Sequence, residues 1–110
     1  MEITVRNLED GVAVLHLAGR LNLVSANDLR AAVQHAVANN RTRIAVDLSG
    51  VEFLDSSGLG ALIGGVKTTR QAGGELRIAA PTEQVKLVLQ LTNMERVLPA
   101  YPDAVTAFDA

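Results

Sequence analysis

Residues 43–48, Arg-Ile-Ala-Val-Asp-Leu, make a short and nearly unbroken apolar run. A strand that is apolar at successive positions shows the same chemistry to both faces of its sheet, so both faces have to be covered. Such a strand is of the sort buried on both faces of a sheet, and asks for helices to pack against it. The neighbouring segments supply them. Before the run, Leu29, Val33, Ala36 and Val37 recur at helical spacing, and "NNR" stops that pattern. Ser25, with Asp28 three residues later, matches a capping box at its start. After the run, Leu59, Leu62, Ile63 and Val66 define a second helical face reaching about Arg70, and "AGG" ends it.

The rest of the chain repeats the alternation. "EITVR" at 2–6, the turn "NLEDG" and the β-type run "VAVLHL" read as a hairpin, with Gly19 breaking its second strand. "ELRIAA" is a further strand, and Pro81-Thr82 opens a helix with Val85, Val88 and Leu89 inward, ended at Asn93. "RVLPAY" reads as a short edge strand, because Pro99 keeps it out of the middle of a sheet, and "DAVTAFDA" as a terminal helix. No repeat, linker or low-complexity segment divides residues 1–110, which read as one α/β domain with crossover connections.

Composition narrows the function. Hydrophobic residues make up 48% of the 110, but aromatic ones only 3%, so the core is aliphatic. With a formal net charge of -2 and few aromatics, the chain has neither the basic face nor the stacking platforms of a nucleic-acid binder. It has no cysteine, which excludes disulfides and thiolate metal sites. The start, "MEITVRNLEDG", is charged and alternating, unlike a signal peptide, and no apolar run approaches the ~20 residues that span a bilayer. A soluble, cytoplasmic domain without membrane insertion is expected.

One stretch breaks the aliphatic pattern: "FLDSSGLG", residues 53–60. Asp55, Ser56 and Ser57 fall where the buried strand ends and the second helix begins. Ligands and partners of open α/β sheets meet the carboxyl ends of the strands, and a helix N-terminus favours a phosphate. Gly58 and Gly60 would keep the first turn low enough for another protein's active site to approach, and Gly64 and Gly65 would let the helix lie close on the sheet. One serine can be an ordinary N-cap; the pair leaves a second hydroxyl over.

The run "DLSGVEFLDSSGLGALIGGVKTTRQAGGELRIA", with "LAGRLN" ahead of the first helix, resembles the STAS family, and within it the bacterial anti-sigma factor antagonists. The resemblance implies a mixed sheet of about five strands with helices packed mainly on one face. It also implies a partner-switching regulator of transcription, of the kind used in stress response and sporulation, rather than an enzyme, with no cofactor, metal or catalytic residue. In such proteins the first hydroxyl after the aspartate, here Ser56, is phosphorylated by a serine kinase that is also the anti-sigma factor. A serine phosphatase resets it. Ser57 would then be the cap, and Arg20, Asn22, Asp55, Ser56, Ser57, Gly58, Leu59 and Gly60 would face the kinase. Many such antagonists carry an acid on each side of the leucine in "GRLN"; this chain has Arg20 and Asn22. The change could alter which kinase is recognised, or mean that this member is not phosphorylated. A monomer or weak dimer is expected.

Other readings fare worse. "GALIGGVKT" approximates a phosphate loop, but a valine intrudes before Lys67 and the stretch lies inside a helical pattern. The serines lack a G-x-S-x-G elbow, and His16 and His35 have no evident role. A receiver-type phospho-aspartate at Asp47 or Asp55 would need further acids for Mg²⁺, which "HLAGRLN" does not offer. The main alternative is a non-phosphorylated STAS adaptor in a signalling or lipid-transport complex.

Overall fold

The computed structural model describes residues 1–109. The chain runs β1 (Glu2–Asn7), β2 (Val12–Leu21), α1 (Ala26–Ala38), β3 (Arg43–Leu54), α2 (Ser56–Gln71), β4 (Glu75–Ala79), α3 (Glu83–Leu91) and β5 (Ala100–Tyr101). The strands form one sheet in the order β1-β2-β3-β4-β5. β1 pairs antiparallel with β2, and every later neighbour is parallel. Because the strand order advances in one direction, crossovers of one hand put α1, α2 and α3 on the same face. Leu29 and Val33 of α1, Leu62 and Val66 of α2, and Val85 and Leu89 of α3 meet Leu15, Ile44, Val46 and Ile78 of the sheet there.

The opposite face is covered by chain rather than by helix. Val12, Val14, Ala45 and Ala79 are buried under Ala104 and Ala107, with Phe108 packed alongside. The terminal helix expected at 103–110 does not form: its described part, 103–109, is a series of turns. So few residues cannot offset the cost of helix nucleation, and these do better by laying two alanines on the sheet. Arg77 holds the segment in place, donating from Nη1 to Ala107 O at 2.6 Å with its guanidinium over the Phe108 and Tyr101 rings.

Further departures from the sequence reading concern strand length and glycine. β2 passes through Gly19, which was expected to break it; the residue takes φ 110° at an irregularity in the β2–β3 register and the strand continues to Leu21. β3 runs well past the apolar 43–48 segment, to Leu54. Of the adjacent glycines in α2, only Gly65 is needed for close packing: a Cβ there would lie 2.7 Å from Leu76 Cδ1, whereas one on Gly64 would meet nothing within 4 Å. The edge strand is only the pair Ala100–Tyr101, immediately after Pro99.

Candidate partner-binding surface at the start of α2

Asp55, not a serine, caps α2. Its backbone is extended (φ -110°, ψ -175°) and its Oδ1 accepts from the Gly58 N–H at 2.9 Å. Ser56 and Ser57 therefore occupy the first two helical positions. Among the described residues neither hydroxyl has a hydrogen-bond partner, and Ser56 is exposed while Ser57 is half-buried. The expectation that Ser57 caps is thus corrected: the carboxylate one residue ahead of Ser56 reaches the third helical N–H, which is the geometry of an N-cap.

The start of α2 is pinned to the end of β2. Asp55 N donates to Leu21 O at 3.3 Å. Gly58 is buried against that same residue; a Cβ there would sit 2.8 Å from Leu21 Cγ and closer still to Leu21 O. Gly58 is therefore a close-packing glycine and faces inward, not toward a partner. Leu59 is also inward, at 6% exposure in the main core. Gly60 is exposed with open space where a side chain would stand, which leaves the flank of Ser56 bare.

The β2–α1 loop completes the surface. Ser25 is buried and does not cap α1; its backbone is already helical (φ -92°, ψ -9°) and it makes no side-chain capping bond. Its Oγ donates to Arg20 O at 2.7 Å and accepts from Asn22 N at 2.9 Å, tying the loop to the strand it leaves. Asn22 closes the turn ahead of α1: Oδ1 accepts from Val24 N at 3.1 Å and Ser25 N at 3.3 Å, both before the helix begins at Ala26, so this half-buried side chain is committed to the loop. Held in this way, Leu23 and Val24 project with 73% and 85% of their surface exposed. Sequence reasoning passed over both. The signal was present as two consecutive aliphatics between a strand and a helix cap, but only the hydrogen-bonded loop shows that they cannot turn inward. Arg20 is exposed, with its guanidinium 4.3 Å from the centre of the Phe53 ring. Arg20, Leu23, Val24, Ser56 and Gly60 are thus exposed residues around the ends of β2 and β3.

Residues 5–107 match the family model described as the STAS domain. The chain belongs to the STAS domain family. Among its curated relatives, an anti-sigma F factor antagonist of Paenibacillus polymyxa is 29% identical over 98 residues, covering 88% of this chain and 84% of the relative. The crystal structure of an anti-sigma factor antagonist from Mycobacterium paratuberculosis superposes with TM-score 0.85 and 28% identity, over 99% of this chain and 94% of that one. SpoIIAA, the Bacillus cell fate determinant solved in its phosphorylated form, shares the fold with TM-score 0.74 at 20% identity, over 98% and 97% of the two chains. The five-stranded mixed sheet with its helices on one face is accordingly the STAS fold. No helix among the described residues is long and apolar enough to cross a membrane.

Elsewhere on the STAS domain, His16 does have a partner. Its Nδ1 lies 2.7 Å from Asp47 Oδ2, on the sheet face opposite the helices. Burial raises the Asp47 pKa, but the Ser49 N–H on Oδ1 at 3.0 Å and the His16 contact outweigh it, leaving the carboxyl below its ordinary value.

Proposed function

We propose that this STAS domain is an anti-sigma factor antagonist whose Ser56 is the switch. Unphosphorylated, it binds an anti-sigma factor serine kinase through Arg20, Leu23, Val24, Ser56 and Gly60, and so releases a sigma factor. The kinase moves the γ-phosphoryl of ATP to Ser56 Oγ: an O–P bond forms, the bridging bond to ADP breaks, and the hydroxyl proton passes to a base on the kinase. A serine phosphatase returns the hydroxyl by hydrolysis.

The observation that carries this reading is the free Ser56 hydroxyl at the first position of α2, exposed because Asp55 has taken the cap. A phosphate there adds a charge of about -1.5 to -2 beside the positive end of a helix dipole, so the fold tolerates it. The docked partner does not. Closing a surface that includes Leu23 and Val24 over an unpaired dianion costs several kcal/mol, enough to reverse a modest affinity. The names of the relatives support the sigma-factor setting.

The test is incubation with the cognate kinase and Mg-ATP, followed by phosphosite mapping and calorimetric titration. One phosphate on Ser56 is expected, with Ser56→Ala still binding the kinase in ADP and Ser56→Asp binding more weakly. Phosphate on Ser57, or equal binding by the parent, Ser56→Asp and a phosphorylated sample, overturns the switch in favour of a STAS adaptor.

A further inference from the structure

The two edges of the sheet are treated differently. β5 is two residues long and flanked by Pro99 and Pro102, which leaves little for another strand to pair with. β1 has six residues, no proline, no lysine, and an unbroken register with β2 from Glu2↔Ala18 to Asn7↔Ala13. Its outer edge is the kind of strand that proteins usually blunt.

The direction of its free groups follows from the hairpin. Leu8 N donates to Val12 O at 2.8 Å, so with antiparallel alternation Glu2, Thr4 and Arg6 bond toward β2. The N–H and C=O groups of Ile3 and Val5 point outward. On the helix side of the strand, Val5 is 49% exposed and lines a groove of 760 Å³ whose walls are mixed, with Ala32 and Ala36 of α1 on one side and Asn7, His35 and Arg41 also facing it.

We propose that β1 is a dimerisation edge whose occupant is β1 of a second copy, paired antiparallel about Thr4. The segment Glu-Ile-Thr-Val-Arg is complementary to itself in that register. Ile3 of each copy exchanges both backbone hydrogen bonds with Val5 of the other, and the two aliphatic side chains meet on the helix face of the joined sheet. Glu2 of each copy lies opposite Arg6 of the other on the far face, a favourable cross-strand pair. Pairing about Val5 instead would set Arg6 against Thr4 and leave Glu2 without a charged partner, so charge selects the register. The contact is isologous, as a two-fold dimer requires. Strand pairing alone buries less than the roughly 1,200–2,000 Å² of a stable interface, so the dimer is reversible and concentration-dependent. The pairing uses the free edge of β1, separated by β2 from β3, the strand that leads to Ser56.

Sedimentation velocity over a concentration series tests this. The parent should shift toward dimer as concentration rises, and amide exchange at Ile3 and Val5 should slow in step. Glu2→Arg and Arg6→Glu each set like charges opposite each other and should weaken self-association roughly tenfold. Mixing the two variants restores opposite charges at both positions, so the mixture should dimerise better than either variant alone. A parent that stays monomeric to its solubility limit overturns the proposal. So does a dimer in which Ile3 and Val5 exchange as fast as in the monomer, or a mixture that associates no better than its components.

Discussion

The two halves of β3 are built by different means. From Arg43 to Asp47 the strand lies between β2 and β4, in register Arg43↔Glu75 to Asp47↔Ala79 on one side and Val12↔Arg43 to His16↔Asp47 on the other. From Ser49 to Leu54, β4 has ended. There β3 carries an extra residue against β2 twice, between His16 and Ala18 and between Gly19 and Arg20. On the vacated side, side chains from the start of α3 replace a strand: Thr82 Oγ1 donates to Val51 O at 3.1 Å, and Gln84 closes both groups of Leu54, Oε1 accepting from its N–H at 2.9 Å and Nε2 donating to its C=O at 3.1 Å. The first half is held by the sheet and the core. The second, which delivers Asp55 and Ser56 to the surface, keeps β2 on one side and buries Val51 and Leu54 in the core. On its other side the side chains of Thr82 and Gln84 stand in for a strand. The Asp55–Ser56 junction therefore follows the part of the strand that has a neighbouring strand on only one side.

The contrast can be broken at several points. The largest effect belongs to the first half. Ile44→Ala, at 0% exposure between sheet and helices, should cost about 2–5 kcal/mol in urea or thermal unfolding and should unsettle the whole domain. A loss no larger than that of the Gln84 variant would break the comparison.

Gln84→Leu comes next. It leaves the Leu54 N–H and C=O without their partner, at a cost of about 1–3 kcal/mol. The loss should be local: amide exchange at Leu54 should quicken relative to Val46. Equal changes at both amides would mean that β3 responds as one unit.

Asp55→Ala should cost about 0.5–2 kcal/mol, the range for losing an N-cap. Ser57→Ala, which removes a hydroxyl without a partner, should stay within about 0.5 kcal/mol of the parent. The reverse order in paired denaturation curves would return the cap to a serine.

The smallest effect lies at the joint of the two halves, where Asp47 accepts from Ser49 N and contacts His16. A carboxyl whose folded pKa is depressed below the ordinary 3.8 stabilises the fold above that value, and the contribution is lost as pH falls through the lower folded pKa. Asp47→Asn should therefore differ most from the parent near neutral pH, with the gap narrowing below about pH 4. A gap that stays constant through acid would show that the interaction is not with the ionised carboxylate. The group is partly solvated, so solvent screening keeps the effect small.

The same contrast explains what could be read in advance. The hairpin, the order of strands and helices, and the inward faces of α1, α2 and α3 follow from apolar periodicity, because burying an aliphatic stripe leaves few choices of element. The α3 cap was legible for a similar reason: Thr82 Oγ1 does accept from Val85 N, at 3.4 Å, as a residue just ahead of a helix should. Caps elsewhere were misplaced. Ser57 has the right chemistry at nearly the right position, yet Asp55 serves instead, and Ser25, although at the N-cap position of α1, bonds Arg20 and Asn22 rather than a helical N–H, since backbone dihedrals decide which N–H a side chain reaches. At the candidate site, Ser56 was legible as a polar residue at a strand-to-helix junction. The inward turn of Gly58 and Leu59 was not, because it depends on how closely α2 approaches Leu21.

The sequence by itself determined the alternation of elements, the aliphatic core and the junction that carries Asp55 and Ser56, because each follows from residues adjacent in the chain or spaced along one helix face. The tertiary structure alone decided that β3 continues to Leu54 under the hold of Thr82 and Gln84, that residues 103–109 lie as turns across the second face, and that Leu23 and Val24 stand beside Ser56's end of the sheet. Those contacts join residues some thirty or more positions apart, as Gln84 does with Leu54. Their energy exists only once the sheet has brought the partners together, so no local pattern in the sequence announces them.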